Sequence, residues 1–176
     1  MSGRKTCFEH AGDTDAAYAY AVNLLIGEES SKDLCLNHVT FSNLSVTRHI
    51  YHVCSFSRCA FVNVDFDSVY LRLCFFDDAH FEGCTFRNSD MKYAVFAGST
   101  FHGCDFSGSD ILHTNFNGVQ SRGSTFNDSD LYYSHFISAH LEKTSYIDCN
   151  LKRVNFSQSV RNDVSFKYSN YEEAIF

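Results

Sequence analysis

The chain has 176 residues, with 21 Asp and Glu against 14 Lys and Arg, a net charge of −7. That length suits one domain, and the mild acidity argues against a protein that binds nucleic acid directly over its whole surface. No apolar run reaches the length of a membrane span, and no long apolar region follows the basic start Met1-Ser2-Gly3-Arg4-Lys5, so neither a membrane partner nor a secretory signal is expected.

Residues 1–12 carry Cys7 and Phe8 and are expected to form a short strand or stay mobile. Asp13 to Gly27 reads as a helix, with Asp13 or Thr14 as its cap, Asp15 in its first turn and Gly27 at its end. Tyr18, Val22, Leu25 and Ile26 make an apolar face, expected to lie over the open end of the structure that follows. Residues 1–33 thus read as an N-terminal segment with a capping helix at about 13–27, closed by the polar connection Glu28-Glu29-Ser30-Ser31-Lys32.

From residue 34 to 176 one step of five residues governs the chain. Counting from Leu36 through Phe41, Val46, Tyr51 and Phe56 to Phe176 gives 29 positions, of which 27 are large and apolar, and 16 of the 18 phenylalanines fall on them. Only Ser121 and Arg161 break the series, and two residues before each position the side chain is small or aliphatic except at His49. Neither the helix period of 3.6 nor the strand period of 2 produces this, so the pattern specifies a solenoid.

A longer period sits inside the short one. Phe56, Phe76, Phe96, Phe116, Phe136 and Phe156 recur at intervals of twenty, as do Phe66, Phe86, Phe106 and Phe126, while Leu71, Met91, Ile111, Leu131 and Leu151 form a column without phenylalanine. Four pentapeptides therefore make one coil, and successive coils pair as parallel strands about 4.8 Å apart. The expectation is an all-β solenoid of about seven four-sided coils, with these phenylalanines as its core.

Ser89-Asp90-Met91-Lys92-Tyr93, Cys104-Asp105-Phe106-Ser107-Gly108 and Ser129-Asp130-Leu131-Tyr132-Tyr133 resemble the pentapeptide-repeat family, and the register holds from residue 34 to 176. The resemblance implies a right-handed quadrilateral parallel β-helix, a non-catalytic role, and binding to DNA gyrase or topoisomerase IV as a DNA mimic that protects against quinolones or toxins. It also implies a homodimer through the C-terminal coils, for which Tyr171, Ile175 and Phe176 are the candidate contacts. The alternative is an interaction scaffold or bacterial effector with an unrelated protein partner.

The remaining chemistry is sparse. Cys54, Cys59, Cys74, Cys84, Cys104 and Cys149 take the small inward slot, where a thiol fills space, and free thiols suit a reducing cytoplasmic setting. His80 and His140 share a column but lie three coils apart, too far to hold one ion, and no metal or cofactor is expected. Two outward columns are candidate partner surfaces: Asp90, Asp110 and Asp130 just before the aliphatic position, and a basic–aromatic strip just after it with Arg72, Lys92, Tyr132, Tyr133, Lys152 and Arg153. The aspartates are expected either to bond turn NH groups or to form a phosphate-like ladder. Arg161 is expected to turn outward through a local distortion, with Val160 in its place, because an unpaired buried cation is costly.

Overall fold

A computed structural model describes residues 14–176; the expectations for residues 1–12 and the capping roles of the Asp13 and Thr14 side chains lie outside what is described. Helix α1 (Thr14–Ile26) leads into a solenoid whose three-residue strands are β1 (Ser30–Lys32), β2 (Thr40–Ser42), β3 (Ile50–His52), β4 (Ala60–Val62), β5 (Tyr70–Arg72), β6 (His80–Glu82), β7 (Thr100–His102), β8 (Gln120–Arg122), β9 (His140–Glu142) and β10 (Val160–Asn162), closed by a 3-10 turn at Tyr171–Glu173.

Every pairing is parallel and joins residues twenty apart, as the period required. One face is the ladder β2-β4-β6-β7-β8-β9-β10. The opposite face starts as β1-β3-β5 and continues by single bridges from Tyr70 through Asp90, Asp110 and Asp130 to Asn150. Two bridge ladders complete the square, one running from Cys35 to Ile175 and the other from Ser45 to Ser165. The chain is thus a quadrilateral parallel β-helix of about seven coils. Its first pairing, Ser30 with Ile50, begins inside the stretch read as a polar connection, because backbone pairing needs no large inward side chain.

The interior is columns of rings. Phe56, Phe66, Phe76, Phe86, Phe96, Phe106, Phe116, Phe126, Phe136 and Phe156 are all buried. Within a column the rings stack nearly parallel, with centroids 4.8 Å apart for Phe76–Phe96 and 4.6 Å for Phe106–Phe126. Neighbouring columns meet edge to face, as Phe116 and Phe126 do at 86°, so each ring's edge addresses another's face.

The small inward residues are more than fillers. Ser109 Oγ donates to the carbonyl of Phe86 at 2.7 Å and accepts the amide of Ser89 at 3.0 Å, stitching consecutive coils. Cysteines occupy the same slot: Cys59 Sγ donates to the Leu36 carbonyl, and burial pushes that thiol up to about 12. All seven described cysteines are free thiols.

Two local expectations change, and the break at Ser121 is resolved. Helix α1 buries Leu25 and half-buries Val22 as expected, but Ala21 joins them while Tyr18 and Ile26 are exposed, so its contact face is shifted from the one expected. The coil fixes the helix by two contacts: Tyr51 Oη donates to the Leu25 carbonyl at 2.6 Å, and the Tyr18 ring reaches Phe41 at 6.4 Å. Ser121 is buried in its phenylalanine column with its hydroxyl 3.1 Å from that of Thr144. Arg161 needs no distortion. Strand β10 pairs regularly with β9, Val160 stays exposed, and the Arg161 guanidinium lies 4.6 Å over the Phe176 ring, where the last coil is open to solvent.

Candidate interaction surfaces

Every coil turns its four corners by one device. Each fifth residue from Asp33 to Tyr168 adopts positive φ, and of these 22 carry a side chain while six are glycine. Asn and Asp tolerate that left-handed conformation, but bulky and β-branched residues do so at a cost. Val53 at φ 57 and Leu73 at φ 55 are the plainest departures. Corner residues project from the rod, so the four corner columns and the columns beside them are what a partner meets.

Asp90, Asp110 and Asp130 do stack in one column, yet they do not make a uniform anionic ladder. Asp90 Oδ1 accepts the Lys92 amide at 3.3 Å, Asp130 Oδ1 accepts the Tyr132 amide at 3.0 Å, and Asn150 repeats the bond to Lys152 at 3.2 Å. The slot therefore closes its own turn. Asp90 also binds Arg72 at 2.8 Å and Lys92 at 3.1 Å, and Lys92 reaches Asp110 at 3.4 Å. Burial pushes the Asp90 carboxyl upward, but hydrogen bonds from Arg72 and Lys92 outweigh it and hold the group below the usual carboxylate range.

Unpaired acidity gathers around the adjoining corner. Asp128 and Asp148 are consecutive corner residues, with Asp105 in the column on one side and Asp130 on the other. Among the described residues none of these four has a cation within ion-pair distance. Earlier coils differ, since Asp67 is clamped by Arg87 at 2.6 Å. Asp65, in the Asp105 column, also has no described cation in reach, but the corner itself carries Arg48, Ser68, Asn88 and Gly108 before Asp128 and Asp148, so its acidic residues lie in the C-terminal half. Asp128 and Asp148 were missed in the sequence; their position two residues after Phe126 and Tyr146 marks them as corner residues.

The next corner has the opposite character. Between residues 27 and 159 the large apolar side chains left exposed are Ile50, Val53, Tyr70, Leu73, Phe75, Tyr93 and Tyr133, all at or beside this one corner. The rings are ordered. Tyr93 stacks on His113 at 5.1 Å, and His113 meets Tyr133 at 5.1 Å and Tyr132 at 5.8 Å. Arg72 and Lys92 stand beside this crest in their aspartate pairs, and Lys152 binds Glu173 at 3.6 Å. Arg153 continues the corner column, exposed at φ 60. The strip expected to be basic and aromatic is therefore aromatic and aliphatic, with its cations largely matched. Phe75 was overlooked, though its place directly before Phe76 already assigned it to the outside.

His80 and His102 meet edge to face at 5.6 Å, and the other described histidines are spread over the coils. His49 is buried, stacked 4.2 Å from the Tyr51 ring with Nε2 3.1 Å from Ser31 Oγ; burial lowers its pKa against the pull of Glu28. His102 and His140 line a shallow polar depression of about 300 Å³ on the seven-strand ladder, with Gln120, Arg122 and Glu142. Arg122 there pairs with Glu142 at 3.5 Å. No group of three or more His, Cys, Asp or Glu with metal-holding geometry occurs among the described residues, and no described helix is long and apolar enough to cross a membrane.

Two family profiles match the chain, one described as a pentapeptide repeat region over residues 99–176 and one as pentapeptide repeats (9 copies) over residues 66–110. The chain belongs to the pentapeptide-repeat family. Solved structures with similar folds include HetL, a pentapeptide-repeat protein involved in heterocyst differentiation regulation from the cyanobacterium Nostoc sp. strain PCC 7120, with 12% identity, TM-score 0.43, and coverage of 94% of this chain and 97% of that one. Rfr23 from the cyanobacterium Cyanothece 51142 shares 10% identity at TM-score 0.45, covering 93% and 99%. QnrB1, described as a plasmid-mediated fluoroquinolone resistance protein, shares 18% identity at TM-score 0.44, covering 84% and 79%. No curated protein matches. These likenesses carry no argument about the role of this pentapeptide-repeat protein, which rests on its own surface.

Proposed function

We propose that the chain is a non-catalytic, cytoplasmic binding rod whose acidic corner imitates the phosphates of DNA and engages the DNA-binding cleft of a type II topoisomerase, gyrase or topoisomerase IV. The observation that carries this reading is the exposed corner pair Asp128 and Asp148, one coil apart, flanked by the half-buried Asp105 and Asp130 whose Oδ1 atoms accept the Ser107 and Tyr132 amides, all four with no described cation in ion-pair reach. Carboxylates repeated from coil to coil of a β-helix offer a basic cleft what a DNA backbone offers, without its bases. The target follows the family resemblance. The proposal includes end-to-end pairing of two copies: Tyr171, Ile175 and Phe176 of the last coil are exposed, and joining two such ends would cover them and double the length of the acidic corner.

The test is gyrase supercoiling with the purified chain titrated in, with and without a quinolone. Inhibition or protection that weakens severalfold in the double variant Asp128→Asn, Asp148→Asn is the expected result. Absence of any effect at high concentration would sink the topoisomerase target. A second reading, a scaffold for an unrelated protein, is favoured by the apolar crest on the neighbouring corner.

A further inference from the structure

We infer that the crest running from Val53 to Tyr133 is a separate docking edge, and that its partner is a folded protein with an apolar groove into which this corner inserts. The inference rests on the non-catalytic binding reading but not on the topoisomerase target. A solenoid of this kind buries its apolar residues through the inward slots, so outward ones should be scattered over all four sides. Instead, between residues 27 and 159, Ile50, Val53, Tyr70, Leu73, Phe75 and Tyr93, with Tyr133 beyond them, converge on one corner. Val53 and Leu73 hold that place at φ 57 and 55, a conformation that glycine would take freely and that an aliphatic side chain resists. Concentrated exposure at a position unfavourable to the residue is the signature of a contact surface.

The chemistry of the crest selects its partner. Tyr93 stacks on His113, and His113 leans on Tyr133 at a tilt of 34°, so the faces between them are occupied, while the outer face of Tyr93 has no ring against it among the described residues. A single-stranded nucleic acid needs a basic groove beside its stacking rings. Arg72 and Lys92 are matched by Asp90 and Asp110, which leaves little net charge for an anionic lipid surface or a nucleic-acid backbone. On the other flank Ser55, Phe75, Val95, Asn115 and His135 bear no fixed charge. A projecting, nearly neutral edge spanning five coils, roughly 19 Å from first to last, is complementary to an apolar groove about that long, with a rim able to meet both signs of charge on the Arg72–Asp90–Lys92 side.

The test places the photocrosslinker benzoylphenylalanine at Val95, beside the crest, in the full chain expressed in its native host, with the same probe at Lys143 on the opposite corner as control. The protein captured only from Val95 is then purified and titrated against the chain. Docking predicts that Leu73→Asp and Tyr93→Asp each weaken binding by about tenfold or more, that Asp128→Asn does not, and that raised salt has little effect. Both variants sit on exposed side chains, and unchanged circular dichroism confirms their fold. Identical products from both probes, adducts between copies of the chain alone, or a captured protein that binds both crest variants like wild type would each overturn the assignment. So would co-flotation of the chain with phosphatidylglycerol vesicles that both variants abolish.

Discussion

The inside of each coil and its corners obey opposite rules. An inward position prescribes the residue and leaves the backbone ordinary: Phe76, Phe96 and Phe116 repeat because a ring must meet a ring one coil away. A corner prescribes the backbone and leaves the residue open, so the same left-handed conformation is taken by Asp128, Tyr133, Val53 and Arg153. Fold information is therefore concentrated on the inside, and whatever distinguishes this rod from others is written on the corners. The difference teaches that the two kinds of position should respond to mutation in different measures.

The largest contrast comes from charge. Phe96→Asp or Phe106→Asp would bury a carboxylate among stacked rings, adding the desolvation of an ion to the loss of the aromatic contact. The aromatic loss alone is about 3–5 kcal/mol, and the buried charge adds several more, which together rival the whole stability of a domain. Both variants should be unfolded or insoluble by circular dichroism. On the corner side, Asp110→Ala removes one surface ion pair of about 0–1 kcal/mol, and Lys92→Ala removes that pair and one of the two cations on Asp90, which keeps Arg72; both should unfold cooperatively close to wild type. A soluble, cooperatively unfolding Phe96→Asp protein would refute the inward register.

This asymmetry also explains what could be read in the sequence. The inward columns were legible to the residue because a period of five and a period of twenty leave no freedom: Phe66 and Phe86 can only stack. The breaks were legible as breaks but not in their resolution. Ser121 finds a hydroxyl partner in Thr144, one coil on, and Arg161 rests on Phe176 because the last coil is open, and neither contact follows from spacing alone. The surface was half legible. Asp90 could be placed in its column, but its capture by Arg72 depends on how a long side chain bends across coils. The uniform left-handed corners were not foreseen, since 22 of them carry residues other than glycine and propensity gives no warning. Once the corner is known, Val53, Leu73 and Phe75 become the informative residues.

A change of sign sharpens the contrast further. Replacing a side chain by glycine normally destabilises a strand, yet Leu73→Gly and Val53→Gly should stabilise this fold. Each relieves a left-handed conformation that costs an L-residue roughly 1–2 kcal/mol, against partly exposed side chains with little packing to lose. The added flexibility of glycine in the unfolded chain offsets part of the gain. A rise in thermal midpoint for each variant is the expected outcome, and a fall would mean that these side chains hold the corner together. If the crest docks as inferred, the same variants should gain stability while losing affinity.

The smallest effect separates two chemically identical substitutions. Tyr51 and Tyr146 are both buried at inward positions, and burial raises the pKa of each phenol, so both stay protonated. Tyr51 spends its hydroxyl on the Leu25 carbonyl and so ties helix α1 to the first coils. Tyr146 stacks 4.9 Å from Phe126 and 5.3 Å from Phe166 as a phenylalanine would, and its hydroxyl is buried without a hydrogen-bond partner among the described residues. A made bond contributes about 1 kcal/mol, while an unmade buried donor costs about 1–3 kcal/mol. Tyr51→Phe should therefore lower stability by about 1 kcal/mol and speed amide exchange in α1, whereas Tyr146→Phe should raise stability by a similar amount. Urea unfolding of both variants measures the pair. Equal effects would show that the interior reads only the ring; opposite signs would show that the cap is held by one hydroxyl, and that the column at Tyr146 is a phenylalanine column in all but name.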